Sequence, residues 1–224
     1  MKESETATPR QRYRAQVREE IKQHAWEQVA TAGASALSLN AIAKQMGMTG
    51  PALYRYFANR DELITELIRD AYRSLADTFR ARVEAGGSLP DLAAALRAWA
   101  LADPQRYLLI YGTPVPGYQA PEETTRIAGE VMAAVLDACA AGQLPEPPPS
   151  PSPPSPSPSA SALEAHLADH RAWAGPHPAP APALRRALAF WSRLHGLLSL
   201  ELAGHFTGMG FDPALLYAAE TEAL

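Results

Sequence analysis

Residues 38–64 read SLNAIAKQMGMTGPALYRYFANRDELI, and this stretch carries the strongest indication of the fold. Apolar residues at helical spacing predict a short helix over 39–46, which Gly47 ends, and a second short helix over 50–57. Two short helices joined by such a tight break form the helix-turn-helix pattern. In this pattern the first helix braces the second, whose N-terminal half projects into a DNA major groove.

The second of these helices has an inner and an outer side. We expect Ala52, Leu53 and Phe57 to pack inward against the first helix, where the small Ala43 allows a close approach. The remaining positions would project away from the core, and they are Thr49, Gly50, Tyr54, Arg55 and Tyr56.

The charge distribution agrees with a DNA-binding N-terminal region. The whole chain has a formal net charge of −4, but residues 1–60 carry nine Lys and Arg against five Asp and Glu, a net charge of +4. Only the N-terminal part is therefore suited to a polyanion. Five basic residues lie within thirteen positions, namely Arg10, Arg12, Arg14, Arg18 and Lys22.

The rest of the chain predicts an all-α protein. Apolar residues make up 47% of the 224 residues, and β-branched Val and Ile are few. Helical periodicity and capping signals predict an all-α fold with two domains, a three-helix DNA-binding domain over 1–58 and a helical bundle over 59–224. Beyond the helix-turn-helix, the predicted helices cover 10–32, 59–84, 104–111, 121–141, 161–173, 183–206 and 213–223. Ser88 starts a further helix that carries Leu92, Leu96 and Trp99.

Residues 145–159, PEPPPSPSPPSPSPS, are rich in Pro and Ser and cannot join a packed core. The sequence therefore predicts a Pro/Ser-rich insertion over 143–182 between two core helices. An inert linker and a ligand for an SH3-like domain remain the two interpretations of this insertion.

Other classes of protein are disfavoured. Cys139 is the only cysteine, so no disulfide is expected, and we find neither a GxSxG sequence nor a Gly-rich phosphate loop. His166 and His170 have metal-ligand spacing, but two ligands make a poor site, and we expect no metal, no cofactor and no enzymatic activity. With no apolar run long enough to span a membrane and no secretory signal, the sequence indicates a cytoplasmic protein.

The stretch quoted above resembles the DNA-binding domain of TetR-family transcriptional repressors. The resemblance covers residues 17–68 and includes the "LYRYF" recognition helix, although Arg60 stands where the family usually has Lys. Trp191, His195 and Gly196 also resemble a C-terminal domain type of this family that is marked by a Trp-x3-His-Gly sequence.

The resemblance implies roles for individual residues in DNA binding. Thr49 and Tyr54 would contact phosphates, while Gly50 and Pro51 would lie against base edges. Arg55 and Tyr56 would reach the DNA backbone or the bases. The remaining residues would flank the groove, with Lys44 and Arg60 on phosphates and Arg10, Arg12 and Arg14 in the adjacent minor groove.

The second domain is expected to bind a small molecule and to dimerise. An apolar or aromatic effector would occupy a pocket beside the Gly- and Pro-rich segment 112–121. The candidate pocket residues are Trp99, Tyr107, Tyr111, Tyr118, Phe190, Trp191 and His195, each of which could instead simply fill the core.

The predicted helix 183–206 is apolar on two sides. The stripes lie around Leu198 and around Phe190; one of the two would pack within its own domain, and the other would pack on a second copy to form a homodimer. The sequence thus favours a ligand-responsive repressor that binds a palindromic operator. The alternatives are a ligand-independent DNA-binding dimer and a helical carrier or enzyme.

Overall fold

The computed structural model describes residues 8–112, 115, 117–141 and 157–224. These residues form ten α-helices and no strand, so the all-α prediction is confirmed. Two short 3-10 turns, Ala34–Ala36 and Ala172–Ala174, connect some of them. The helices are α1 (Pro9–Ala32), α2 (Leu39–Gln45), α3 (Gly50–Leu53), α4 (Arg60–Glu84), α5 (Leu89–Ala102), α6 (Pro104–Tyr111), α7 (Glu122–Ala141), α8 (Pro158–Asp169), α9 (Ala181–Leu202) and α10 (Pro213–Glu222).

Local capping explains where the N-terminal helices begin and end. The Thr8 hydroxyl accepts a hydrogen bond from Gln11 N at 3.3 Å and begins α1, and Gly33 ends it at φ +77°. Asn59 begins α4 by accepting from Glu62 N at 2.8 Å. The Glu62 carboxylate reaches back one residue further than in a standard capping box and accepts from Ala58 N at 2.6 Å.

Helix α4 is part of two hydrophobic clusters. Its first half, around Leu63 and Leu67, packs with α1, α2 and α3, whereas its second half, around Leu75 and Phe79, packs with the C-terminal helices. The helix lies mainly against α7 and also contacts α5 and α6. The predicted division at residue 58 assigns all of α4 to the second domain, yet half of its buried side belongs to the first cluster.

The C-terminal core includes much of the segment that was predicted to be an insertion. From Pro158 onward this segment is part of the bundle, because α8 packs on α9 and because Leu167 and Ala179 are buried in the core. An ion pair of 2.7 Å joins Arg185 to Glu164 across α8 and α9. The Pro- and Ser-rich residues up to 156 lie outside the described residues, so both interpretations of them stay predictions.

The two apolar stripes of α9 are covered in part within the chain, since Leu188 and Trp191 on one stripe and Leu197 on the other are only partly buried. Leu198 on one stripe and Phe190 on the other are each fully buried, because α5, α6, α7, α8 and α10 all contact α9. The expectation that one of these stripes faces a second copy stays a prediction. The exposed apolar residues of α9 lie on a third side, which includes Leu200.

The central position of α4 leads to a stability prediction. Phe79→Ala removes a fully buried ring from the C-terminal core, so we expect it to lower the free energy of unfolding by about 3–5 kcal/mol. Denaturant unfolding at one fixed protein concentration measures this change. Arg80→Ala, at the exposed neighbouring position, is the control and should change stability by less than about 0.5 kcal/mol. Equal losses in the two variants would contradict this placement of α4.

Candidate nucleic-acid interface and regulatory cavity

The helix-turn-helix has a well-packed inner side. Ile42 of α2 and both Leu53 and Phe57 are fully buried in the N-terminal cluster. The break between the two helices is closed by a hydrogen bond of 2.8 Å from Met48 N to the Ala43 carbonyl oxygen. Gly47 has φ +64°, a backbone conformation that glycine adopts without strain. Helix α3 is shorter than predicted, and turns replace its second half over residues 54–56.

Most of the predicted DNA contacts lie on the outer side of this motif. Tyr54 is 45% exposed, and Gly50 and Tyr56 are half-buried at the same surface. The Thr49 hydroxyl makes no capping hydrogen bond to α3, so it is available to a ligand. The exposed predicted contacts in and next to the helix-turn-helix are Lys44, Thr49, Pro51, Tyr54 and Arg55.

Two arginines of α1 hold the end of the recognition segment, which comprises α3 and the residues that follow it up to position 57. Arg14 donates to the Arg55 carbonyl oxygen at 2.9 Å, and its guanidinium lies 5.7 Å from the centroid of the Tyr56 ring. Arg18 donates to the Tyr56 carbonyl oxygen at 2.5 Å, and its guanidinium lies 4.1 Å from the centroid of the Phe57 ring. Both contacts orient the segment that carries the predicted DNA contacts. Apart from the place of Arg18 in the basic cluster, no feature of the sequence indicates this role.

The other predicted phosphate and groove contacts differ in their surroundings. Arg10 and Arg12 are exposed in the first turns of α1. Arg60 is half-buried and donates to the carbonyl oxygens of Ala34 at 2.7 Å and Leu37 at 3.2 Å. Its guanidinium therefore fixes the connection between α1 and α2, a role that the sequence did not indicate.

The predicted effector residues separate into three groups, namely core residues, an aromatic cluster and one residue near the surface. Tyr107 and Phe190 are fully buried, and Trp99 donates from Nε1 to the Ser74 hydroxyl at 3.1 Å, so these three fill the core. Tyr111, Trp191 and His195 form an aromatic cluster in which the ring centroids of His195 and Tyr111 lie 4.2 Å apart. Tyr118 lies elsewhere, at the edge of a surface cavity.

The buried His195 is neutral and has one unused ring nitrogen. The Tyr107 hydroxyl donates to the His195 carbonyl oxygen at 3.1 Å and lies 3.0 Å from His195 Nδ1. The same hydroxyl lies 3.1 Å from Ser199 Oγ, and His195 Nε2 has no partner among the described residues. Burial lowers the pKa of the imidazole to about 4.

A cavity of about 380 Å³ lies between α4, α6, α7 and the segment that joins α6 to α7. Gly112 contributes to its wall. A Cβ atom at this position would lie 2.4 Å from the Leu108 carbonyl oxygen, so only glycine lets the chain leave α6 in this direction. The other described lining residues are Ile68, Tyr72, Leu109, Ile110, Val115, Tyr118, Ala120, Thr124, Thr125 and Ala128.

A chain of ion pairs connects the wall of this cavity to the recognition segment. Glu123, in the first turn of α7, pairs with Arg69 at 2.7 Å. Arg69 also pairs with Glu66 at 3.0 Å, and Glu66 pairs with Arg18 at 3.5 Å. Since Arg18 also donates to the Tyr56 carbonyl, charged contacts extend from α7 along α4 to the helix-turn-helix.

These features together define the class of protein. A braced helix-turn-helix with an exposed polar and basic outer side, attached to a helical bundle, is the architecture of a DNA-binding transcriptional regulator. Within the described residues, no group of three or more His, Cys, Asp or Glu side chains is arranged to hold a metal ion. None of the helices in those residues has the length and apolar character needed to cross a membrane.

Comparisons with known proteins identify the family. Residues 21–67 match the model of bacterial regulatory proteins of the tetR family, and residues 89–224 match that of the tetracyclin repressor-like C-terminal domain. The HTH-type transcriptional regulator Rv1816 of Mycobacterium tuberculosis is 36% identical over 219 residues, which cover 94% of this chain and 92% of that protein. This chain belongs to the TetR family of transcriptional regulators and is not an enzyme.

Solved structures show the same fold. The crystal structure of the regulatory protein SCO4313 has a TM-score of 0.84 and 66% sequence identity, and the match covers 96% of this chain and 98% of that one. A protein of unknown function from Rhodococcus sp. RHA1 has a TM-score of 0.62 at 19% identity over 98% of this chain and 94% of its own. The second likeness supports the fold alone.

The contacts of Arg60 lead to a prediction about stability. Arg60→Ala leaves the carbonyl oxygens of Ala34 and Leu37 without their charged donor, so we expect a loss of about 1–2 kcal/mol in the free energy of unfolding. Lys44→Ala, at an exposed position, should change it by less than about 0.5 kcal/mol. Thermal or denaturant unfolding of both variants tests this difference. A fully stable Arg60→Ala protein would show that these hydrogen bonds do not fix the α1–α2 connection.

The pKa of His195 predicts how stability depends on pH. Because the folded-state pKa is about 4 and the ordinary value is 6.5, the unfolded chain binds more protons between these two pH values. Folding stability should therefore be complete above pH 6.5 and fall as the pH decreases to 4, by up to about 3 kcal/mol.

Melting temperatures across this pH range test the pH prediction. In the His195→Gln variant, this part of the fall in stability with decreasing pH should be absent. In the His205→Gln variant, at an exposed histidine, it should be present as in the wild type. The prediction fails if both variants follow the wild-type curve.

Proposed function

We propose that this protein is a homodimeric, ligand-responsive repressor that binds a palindromic operator. In this proposal residues 1–58 bind the DNA, and residues 59–224 dimerise and bind the effector. The observation that carries the proposal is the exposed outer side of the helix-turn-helix, which is held from behind by Arg14 and Arg18. A recognition helix must be rigidly supported if its side chains are to reach base edges with defined geometry.

The proposed contacts fall into two groups. Lys44, Thr49 and Tyr54 are exposed and polar, which suits them to phosphate contacts that position the protein on any sequence. Gly50 and Pro51 are small and begin α3, where they would allow the backbone to approach the base edges. The other proposed contacts are Arg10, Arg12, Arg14, Arg55, Tyr56 and Arg60. Arg60 would contact a phosphate in addition to the two carbonyl oxygens to which it already donates.

Repression is tested on the DNA upstream of the protein's own gene. We expect a steep loss of affinity with salt, as several phosphates are neutralised on binding, together with preference for a palindromic site over a random duplex of equal length. A gel shift over a range of salt concentrations measures both properties. Binding no stronger than to the random duplex would contradict an operator-binding role at this site. Transcription from that promoter in vitro distinguishes repression from activation.

The two groups of DNA contacts predict different mutant behaviour. Lys44→Ala should weaken binding to operator and random duplex alike and reduce the salt slope by about one. Gly50→Ala should instead change which operator variants are preferred. The added Cβ lies 3.4 Å from Asn40 Oδ1, an ordinary contact, so the variant should fold normally. Equal losses on operator and random DNA for Gly50→Ala would contradict the proposed orientation of α3.

Exposed leucines on two neighbouring helices, α9 and α10, support a homodimer. Leu200 of α9 is 42% exposed and Leu215 of α10 is 71% exposed, while α9 also presents Gly196, whose small size permits a close helix approach. A surface of this kind is buried efficiently by a two-fold partner. Such dimers place two recognition helices about one turn of DNA apart, or a multiple of it, which is why a palindromic operator is expected.

The dimer surface is tested by a pair of matched variants. Leu200→Glu places a charge in the proposed interface and should produce monomers in analytical ultracentrifugation at micromolar concentration. Leu163→Glu, at a comparably exposed leucine of α8, should remain a dimer. If the wild-type protein is a monomer, the dimer proposal is wrong. If Leu200→Glu stays dimeric, the interface lies on another face.

Regulation would act through α4. This helix is buried in both hydrophobic clusters, so a small tilt at its C-terminal half must displace the helix-turn-helix. A ligand releases DNA only if it prefers the displaced arrangement, and a near-complete switch needs about 5.5 kcal/mol of such preference. The operator should then weaken effector binding by the same factor, because the coupling is reciprocal.

A further inference from the structure

The last residues of the recognition segment are held on two sides by side chains from other helices. Arg18 of α1 donates to the Tyr56 carbonyl oxygen at 2.5 Å. Glu62 of α4 accepts a hydrogen bond of 2.6 Å from Ala58 N. Between these two bonds lies Phe57, which is fully buried and has the Arg18 guanidinium 4.1 Å from the centroid of its ring. The backbone on either side of this ring is therefore fixed.

The two side chains that hold this backbone are also connected to each other. Arg18 forms ion pairs with Glu62 at 3.8 Å and with Glu66, one turn further along α4, at 3.5 Å. The side chains of Arg18 and Glu66 are each only 26% exposed, so salt screens this pair less than it screens a pair on an open surface. The two carboxylates thus keep the Arg18 guanidinium between α1, α4 and the recognition segment.

A guanidinium suits this arrangement better than an ammonium group. Its planar group carries five N–H donors in a fixed fork, so one side chain can contact a carbonyl oxygen and two carboxylates at the same time. A lysine ammonium is a compact charge on a flexible stem. Lysine at position 18 would therefore retain the charge but lose the fixed directions of the contacts.

Acidic residues of a DNA-binding domain ordinarily oppose its function. A carboxylate repels the phosphates of any duplex, so its replacement by a neutral amide is expected to strengthen binding to every sequence alike. Glu62 and Glu66 lie in the first two turns of α4, yet their charges act on Arg18. The charge of Arg18 is balanced within the protein, in contrast to the exposed cations Arg10 and Lys44.

We propose that Glu62 and Glu66 are positioning residues for operator recognition. Through Arg18 they fix the end of the recognition segment against α4, and they thereby raise the preference of the protein for its operator over other DNA. Base edges are read by side chains held in a defined geometry, whereas phosphate contacts form on any sequence, so a loosened segment loses specific binding first. This inference rests on the operator binding proposed above. Neither carboxylate needs to touch the DNA, since each acts through the guanidinium.

Replacing Glu66 tests the sign of this effect. Glu66→Gln removes one carboxylate from the Arg18 guanidinium, so we expect affinity for the operator to fall about three- to tenfold while affinity for a random duplex stays the same or rises. Glu20→Gln is the control, because it removes the same charge from an exposed position of α1 where the carboxylate accepts only from Gln16. It should raise both affinities alike. Gel shifts at one salt concentration measure them, and equal gains on both duplexes for Glu66→Gln would overturn the proposal.

Two further variants isolate the contacts of the carboxylates. Glu66 also pairs with Arg69, and Arg69→Gln removes that contact alone, so the ratio of operator to random affinity should change less than about twofold. Glu62→Gln keeps an oxygen that can accept from Ala58 N, so it removes only the charge, and we expect it to lower the ratio in the same direction as Glu66→Gln. A loss in Arg69→Gln equal to that in Glu66→Gln would contradict the role of Arg18. An unchanged ratio in Glu62→Gln would exclude Glu62 from the set.

Variants of Arg18 separate positioning from phosphate contact. Arg18→Lys keeps the charge but not the fork, so operator preference should fall at least about threefold. Arg18→Gln should leave the slope of log affinity against log salt concentration close to that of the wild type, whereas Lys44→Ala lowers it by about one. A slope lowered by about one in Arg18→Gln, with equal losses on both duplexes, would show that Arg18 contacts a phosphate. Melting curves reveal a variant that does not fold, and Glu66→Gln then preserves the test.

Hydrogen exchange in the absence of DNA separates this inference from the proposed function. The N–H groups of Tyr56 and Phe57 donate to the Leu53 carbonyl oxygen at 2.8 and 3.3 Å, so their exchange reports how often the end of the recognition segment opens. We expect exchange of these two amides to be at least about threefold faster in Glu66→Gln and in Arg18→Lys than in the wild type.

The two measurements fail in different ways. If the wild-type protein does not prefer operator DNA, the repressor proposal fails, while exchange still decides whether the carboxylates hold the recognition segment. Unchanged exchange in both variants would overturn the inference even for a protein that binds its operator.

Discussion

The burial of α4 in two separate hydrophobic clusters is the constraint on which the rest of the structure depends. One side of its first half is covered by α1, α2 and α3, and its second half is covered by α5, α6 and α7. A helix held at both ends by packed side chains cannot move at one end alone, because close-packed interiors deform little. The orientation of the helix-turn-helix is thereby tied to the packing of the C-terminal bundle.

Arginine side chains of α1 hold the DNA-binding surface in a defined conformation. Helix α3 has only one turn, so its own hydrogen bonds cannot fix the residues that follow it. The guanidinium groups of Arg14 and Arg18 provide that support by bonding to the last carbonyl groups of the recognition segment and by lying against its aromatic rings. These two arginines of α1 therefore serve the fold, and the net charge of the N-terminal region alone does not separate this use from DNA binding.

The cavity beside α4 lies next to both hydrophobic clusters, because Ile110 in its wall packs against each of them. Ile68 in its wall belongs to the N-terminal cluster. Thr124, also in its wall, follows Glu123, which is connected to Arg18 by ion pairs that pass through Arg69. Exposed ion pairs of this kind contribute little to stability, but their arrangement depends on the position of α4. The deeper aromatic cluster around His195, by contrast, is closed by the hydrogen bonds of Tyr107 and serves to hold α6 against α9.

The sequence by itself determined the elements and the family. The capping residues Asn59 and Gly33, the turn at Gly47 and the apolar spacing predicted most helices to within a few residues, because these signals act between neighbours in the chain. Only the tertiary structure decided which apolar residues of α9 are buried and which arginines hold carbonyl groups. It also decided that Tyr118 and Thr124 line a cavity while Tyr107 and Phe190 do not. These outcomes depend on contacts between residues far apart in the chain, and such contacts leave no periodic trace in a single sequence.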